Sequence, residues 1–508
     1  MLMTGLSGWL LYATIFAMVS LSLSVPVYLE SRKREEGSIY PRRDILQIGP
    51  LRRAVTHPAF PFWLRLPVVI AFLLILFAGF FGIQIGYMNV APILTWTIWW
   101  AALIFLILFL GKIWCLVCPW NAIAEWVQHL ALWGKRDTTL SLNLRWPKAL
   151  RNIYMAASLF VGLTWLELGF GITIVPWATA GLGLLILMLA LVPALYFERK
   201  PFCRYGCLVG RVSGLYALFS PVELRSKDKE VCHRCHTKDC LHGNDKGYGC
   251  PVYEYVGNMD VNADCILCTE CLRTCPYDNI AFNVRPPATD LVKARRLRPD
   301  EAYLALVVLS LTSLHGVTMT PAWSGLTATI ASFLGGGGGA AVAAFTLGMG
   351  LILAMTPLVC LLFARLAATL SPNPSLPLKR VFIAFAYPLL PLALFYHLAH
   401  NSQHLFLEGQ WIIPLASDPL GLGWNLLGTA YWQLGPVLPL PVIQPLQLGL
   451  LLVGLAYALL VAHRIYGRLL PDGRGVLRDH APLVAMLLVF SLVNLWLLTQ
   501  PMMGRMGM

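Results

Sequence analysis

The sequence predicts a mainly α, polytopic membrane protein: about ten transmembrane helices around one polar, cysteine-rich domain. Three observations predict it. Apolar runs recur along the chain, Lys and Arg gather in alternate connections, and most of the cysteines fall in one polar stretch. The 508 residues are 57% hydrophobic and 12% charged, against about 25% charged in a soluble domain. The runs are about 20 residues long, enough to cross roughly 30 Å of hydrocarbon. They cover 7–29, 65–86, 92–111, 152–172, 174–197, 302–320, 340–363, 380–400, 446–467 and 481–499. The stretch 323–339 predicts a half-helix or a surface loop, because Gly335 to Gly339 weaken a helix interior. No charge precedes the first run, and Arg32, Lys33 and Arg34 follow it. A cleaved signal would carry its charge ahead of the apolar segment. The run therefore reads as a retained anchor with its N-terminus outside.

With that start, the connections 30–65, 111–151, 198–300, 364–380 and 464–480 fall inside. They hold every one of the 38 Lys and Arg except Arg505. This is the positive-inside bias. It accounts for the net charge of +13 through topology and attraction to anionic lipid, and excludes the need for a nucleic-acid partner. The expected location is the cytoplasmic (inner) membrane, with both termini periplasmic and the polar domain cytoplasmic.

Three regions follow: a five-helix membrane part at 1–197, a polar domain at 198–300 and a second membrane part of about five helices at 301–508. The connection 111–151 carries Trp114, Trp120, Trp126 and Trp133, which at that spacing suggest a water–lipid interface. Residues 371–378 read as a proline-rich connector, and no internal repeat is evident.

Twelve of the 13 cysteines lie between positions 115 and 275. On a reducing face disulfides are rare, so metal ligation is the default. The strongest pattern is Cys265-x2-Cys268-x2-Cys271-x3-Cys275-Pro276. In two-cluster ferredoxins the fourth cysteine of this run ligates the other cluster. A reciprocal run is present in Cys232-x2-Cys235-x4-Cys240, with Cys250-Pro251 as the crossing ligand. One [4Fe–4S] cluster is thus expected on Cys250, Cys265, Cys268 and Cys271, and a second on Cys232, Cys235, Cys240 and Cys275. The pattern predicts a two-cluster ferredoxin-like domain. Zinc would not use a Cys-x2-Cys-x2-Cys triplet. His233, His236 and His242 read as surface residues, since eight cysteines suffice. Cys360, in an apolar run, reads as a packed core residue.

A second set is Cys115-x2-Cys118-Pro119 after the third run and Cys203-x3-Cys207 after the fifth. Four thiolates there suit a third cluster, a redox-active dithiol pair or free thiols. The segments Trp114-Cys-Leu-Val-Cys-Pro-Trp120 and Phe202-Cys-Arg-Tyr-Gly-Cys-Leu208, followed by a ferredoxin pair, resemble the NapH/NosR type of membrane iron–sulfur protein over residues 60–285. The resemblance implies electron transfer between the quinone pool and a redox partner: a periplasmic reductase, oxidase or cytochrome, or a cytoplasmic donor. That family has Cys-x3-Cys-Pro at both membrane-edge sites. Here the first motif is one residue short, and Leu208 replaces the second proline.

In the second membrane part, His397, His400 and His404 share one helical face, and His315 lies in the outer part of the sixth run. Intramembrane ionisable residues are functional candidates. His315 with His397 or His400 would suit a b-type haem. The same group with Asn401 and Glu408 would alternatively suit a quinol site, since imidazole titrates near neutral pH. His463 and His480 read as interfacial. The tail methionines Met502, Met503, Met506 and Met508 suggest a soft copper site or a loose terminus. Two other functions stand beside the electron-transfer reading: a maturation factor that reduces a metal ion such as copper, and a redox-linked transporter. No residues suggest independent substrate chemistry.

Overall fold

The protein is represented by a computed structural model that describes residues 2–3, 8–31, 40–293, 297–371, 376–469 and 476–503. Arg32, Lys33 and Arg34, residues 372–375 of the connector 371–378, and Met506 and Met508 lie outside the described residues. Among the described residues, nine helical segments are long and apolar enough to cross a membrane. In order they are α1 (Gly8–Ser31), α2 (Phe60–Phe81), α3 (Val90–Leu110), α5 (Pro176–Tyr196), α6 (Pro299–Thr318), α7 (Gly337–Leu370), α8 (Leu389–Glu408, led in by Leu378–Ala386), α9 (Leu440–Leu469) and α10 (Val476–Thr499). The tenth expected span, α4 (Tyr154–Gly169), is apolar but only 16 residues long, which is about 24 Å.

These helices stay helical because their backbone groups have no other partners in lipid. Pro61 and Pro176 start α2 and α5 in the first turn, where a missing N–H costs nothing. The packing departs from the linear division into 1–197 and 301–508. Helix α1 packs against α9 and α10, while α6 packs against α4 and α8 against α3. The two membrane parts therefore interlock. Leu2–Met3 pairs antiparallel with Met502–Met503, which brings both ends of the chain together.

The polar domain is built on a three-stranded antiparallel sheet of β1 (Arg43–Asp44), β2 (Val222–Ser226) and β3 (Ile280–Val284), with β3 in the centre. Val222 opposes Val284 and Ser226 opposes Ile280, so the β2–β3 pair closes the long loop that holds the eight ferredoxin-pattern cysteines. Strand β1 comes from the connection after α1, outside the boundary at 198. Glu223, Arg225, Arg285 and Asp290 form a buried ion network under the sheet: Arg285 lies 2.7 Å from Glu223 and 2.5 Å from Asp290. A second Asp290 oxygen accepts from the Asn262 backbone N–H at 2.8 Å, tying the cysteine loop to this network.

One other expectation is revised, and the half-helix expected at 323–339 is present. Trp114 and Trp120 are buried rather than interfacial, because they pack on Trp99 at centroid distances of 5.2 and 5.8 Å. Only Trp133 of that group is exposed. The stretch after α6 is a short helix, Pro321–Phe333. It stops where Gly335, Gly336 and Gly337 take positive φ, and α7 starts from Gly337.

Candidate metal centres

Twelve thiols fall into three sets of four. Cys250, Cys265, Cys268 and Cys271 (set 1) lie within electrostatic reach of one another, pair by pair. Cys232, Cys235, Cys240 and Cys275 (set 2) line one cavity with Tyr255 and Asn279. Each crossing cysteine, Cys250 and Cys275, stands with the opposite run. Left-handed backbone at Leu267 and Thr269 flanks Cys268 and tightens the loop around it. His233, His236 and His242 are exposed, and Cys360 is fully buried.

Cys115, Cys118, Cys203 and Cys207 form set 3, also mutually close. The local structure explains how motifs of unequal length meet. Cys118 is the N-cap of helix Pro119–His129, and Cys207 is the N-cap of helix Leu208–Tyr216. The extra residue of Cys203-x3-Cys207 is absorbed by a π-turn over Phe202–Gly206, the usual way to accommodate an insertion in a helix. Leu208 stands at the first helical position, where Pro119 stands in the other motif, so proline is not required there. Helix α3, its cysteine pair and the following helix thus recur as α5, its pair and its helix. The repeat lies in the backbone rather than in the sequence.

The sulfurs are met by N–H donors. Gly210 N donates to Cys207 Sγ at 3.3 Å, Lys238 N to Cys235 at 3.4 Å, Glu254 N to Cys250 at 3.2 Å, and Asn279 N to Cys275 at 3.4 Å. The Asn279 side chain donates to Cys232 at 3.3 Å. Unpaired N–H groups of a first helical turn make the end of the helix favour negative charge, which suits a thiolate. Burial pushes the free thiols the other way: Cys203 and Cys265 to about 11, Cys207 and Cys240 to about 12. Unligated, they would be protonated at neutral pH; bound to metal, they would be thiolates. Among the described residues no three His, Cys, Asp or Glu side chains converge on a point that would hold a single ion. Each set offers the four thiolates that a [4Fe–4S] cluster takes.

Buried cations link the sets, and the sequence reading missed them. Lys112 is 1% exposed and donates to the Ala263 carbonyl at 3.2 Å. Its charge reaches Cys115, Cys203 and Cys207 of set 3 and Cys265 of set 1. Arg211 pairs with Asp264, beside Cys265. Gly214 lies so near Ala263 that a Cβ would stand 2.3 Å from its carbonyl oxygen. Set 2 adjoins set 1 through Cys240 and Cys271. On the other side of set 3, Lys200 donates to Asn121 Oδ1 at 2.7 Å and pairs with Glu125, which also binds Arg65 at 2.8 Å. Burial alone would raise the Glu125 carboxyl, but these two cations hold it well below the usual carboxylate range. A lone Lys or Arg at the end of an apolar run was the available sequence signal for Lys112 and Arg65.

The histidines do not gather as the sequence grouped them. His315 Nε2 lies 3.5 Å from Glu167 on α4, and its Nδ1 lies 2.8 Å from the Leu311 carbonyl. His397 instead meets the Tyr216 hydroxyl at 3.4 Å and packs on Trp100. His400 and His404 stand edge to face at 5.0 Å, with His404 3.4 Å from Glu408. A bis-histidine haem needs two imidazoles facing each other across the macrocycle, and His315 is turned to a different helix. His463 and His480 pack on each other at 5.4 Å.

Fold and thiol sets together define a polytopic membrane protein of the 4Fe–4S ferredoxin type. The family described as "4Fe-4S binding domain" matches residues 92–140 and 179–225. These two segments contain Cys115, Cys118, Cys203 and Cys207. The chain is similar to the methylamine utilization ferredoxin-type protein MauN of Paracoccus denitrificans, with 26% identity over 148 residues. That match covers 26% of this chain and 48% of the relative, so it spans about half the relative's length. No solved structure matches. The chain thus carries segments that match a 4Fe–4S binding domain and is similar to a ferredoxin-type protein, in keeping with its resemblance to NapH/NosR-like membrane iron–sulfur proteins.

Proposed function

We propose that this chain is an electron-transfer subunit of the cytoplasmic membrane that relays electrons between the quinone pool and a redox partner through three [4Fe–4S] clusters. Set 2, set 1 and set 3 hold one each. The observation that carries the reading is the ordered succession of the sets: Cys240 lies within electrostatic reach of Cys271, and Lys112 within reach of both Cys265 and set 3. Such clusters supply one-electron transfer when bound. The chain's own groups do the rest. Sulfur-directed N–H bonds and the cations Lys112, Arg211 and Arg225 favour added negative charge, which raises reduction potential. Burial keeps water from the thiolates. The gathering of Lys and Arg at the domain end supports a cytoplasmic face.

Purified full-length protein is expected to hold about twelve iron atoms and as many labile sulfides. Zinc without labile sulfide would sink the assignment. Adding an oxidised short-chain quinone to the reduced protein is expected to re-oxidise the clusters, read by their visible absorbance. An unchanged spectrum would break the quinone link and leave the cluster assignment standing.

A further inference from the structure

The span that contains α8 is the most enclosed among the described residues, with 89% of its apolar window buried. It nevertheless carries a file of titratable side chains. His397, His400, His404 and Glu408 are 5%, 2%, 1% and 7% exposed. They share one helical face over about 16 Å of axis. Ionisable groups are costly inside a span, and chains of His and Glu there mark proton relays. The start of α8 lies by the polar domain, since Tyr387 bonds Arg298 N and Glu301; Glu408 is at the far end. Glu408 lies 3.4 Å from His404, and the His404 and His400 rings are 5.0 Å apart. His397 is one turn further on, where side chains at i and i+3 are neighbours. Its Nδ1 meets the Tyr216 hydroxyl at 3.4 Å. One water bridges any such gap that is not a direct contact. The groups around this face are mostly neutral. Tyr396 stacks on His400 at 6.2 Å, and Trp100 of α3 packs on His397. Helix α9 meets α8 with Gln447, which donates to Gln403 Oε1 and the Ala399 carbonyl, both at 2.9 Å.

The inner end of the file lies between two thiol sets. Tyr216 closes the helix Leu208–Tyr216, whose cap is Cys207 of set 3, about 14 Å away along the axis. Gly214, two residues earlier, touches Ala263, two residues before Cys265 of set 1. A charge at His397 is therefore felt at both sets through buried protein, where screening is weak. We propose that α8 conducts protons between its far end and the Tyr216–His397 pair, so that an electron entering or leaving the clusters is balanced by a proton. The inference rests on the cluster reading above. On oxidation one electron leaves a cluster, and an N–H bond of protonated His397 breaks. The proton passes to His400, then His404, then Glu408, and forms hydronium in the water beyond. On reduction the path runs in reverse. No bond to a cluster changes.

The test uses full-length protein, reduced and freed of reductant, in liposomes with a pH dye trapped inside. Ferricyanide added outside takes up one electron and no proton, and it does not cross the bilayer. It therefore oxidises the molecules whose cysteine domain faces out. The lumen is expected to acidify, by up to about one proton per electron. His400→Leu and Glu408→Gln are each expected to slow that acidification on the order of a hundredfold, and Glu408→Asp to restore it. All three variants should keep parental iron and sulfide and consume ferricyanide as the parent does, which distinguishes them from misfolded protein. Ferricyanide consumed without lumen acidification, or protons released only outside, would overturn the relay and leave the clusters standing. So would parental acidification in both His400→Leu and Glu408→Gln. No consumption of ferricyanide would remove clusters and relay together.

Discussion

The two membrane-edge units bring the same chemistry to one place by different local means. In the first, Cys115 and Cys118 are three positions apart and a proline opens the next helix. In the second, the pair is four apart, a π-turn takes up the difference, and a leucine opens the helix. What the pairs share is the second cysteine as N-cap. The comparison teaches that the cap position, not the spacing or the proline, brings the thiol to the common site. The helices that follow then diverge. Helix Pro119–His129 stacks His129 on Tyr248 at 3.9 Å. Helix Leu208–Tyr216 presses Gly214 against Ala263 and touches His397 with Tyr216. Each helix therefore docks a different edge of the cysteine domain.

The equivalence of the units is broken most directly at their cysteines. Cys118→Ser and Cys207→Ser are each expected to remove the same roughly four iron atoms and the same paramagnetic signal, leaving the signals of sets 1 and 2. Different losses from the two variants would mean that the pairs do not share a centre. Cys268→Ser, in contrast, should abolish the set 1 signal and perturb that of set 2, since Cys275 and Cys250 cross between the loops.

Gly214→Leu probes the second docking helix. With only 2.3 Å available to a Cβ against backbone, the helix or the 262–265 loop must move, at a cost of about 1–3 kcal/mol. Thermal unfolding should fall accordingly, and magnetic coupling between sets 1 and 3 should weaken while total iron is retained. A parental melting curve and coupling would show that the close approach is not rigid.

His129 tests the first docking helix through pH. Burial lowers its pKa from 6.5 to about 4, although Glu125 pulls it upward. A histidine with a depressed folded pKa contributes stability that is present above pH 6.5 and lost as pH falls toward 4. Because the ring is partly exposed, the effect is about 1 kcal/mol after screening. His129→Phe should flatten that part of the stability profile, as measured by melting between pH 7 and 4.5. An identical slope in parent and variant would place the pH dependence elsewhere.

The smallest expected effect is at Leu208→Pro. Cys207 has φ −70° and ψ 114°, which a following proline accepts, and the first helical position needs no N–H donor. Cluster content should be unchanged and stability within about 0.5 kcal/mol. Loss of iron would show that the leucine side chain, rather than the cap geometry, holds the second unit in place.

The local patterns of the sequence were enough for the apolar spans and for the eight cysteines of the polar domain. Both depend on neighbours in the chain: a hydrocarbon layer needs an unbroken apolar run, and a cubane loop needs short thiol spacing. The reciprocal placing of Cys250 and Cys275 was legible for the same reason, since one ferredoxin run implies its partner. Packing between distant segments was not legible. In lipid, side chains facing the membrane and those facing another helix are equally apolar. Nothing in residues 8–31 therefore announced that α1 joins α9 and α10, or that Trp114 and Trp120 turn inward. His315 looked like a companion of His397 because the sequence pattern put both in outer halves of spans, yet the tertiary structure turns it to Glu167. The convergence of Cys115 and Cys118 with Cys203 and Cys207, and the buried Lys112 between two thiol sets, likewise exist only once α2, α3, α4 and α5 are assembled. Sequence spacing decided which thiols act together within one loop; helix packing decided which of those loops meet.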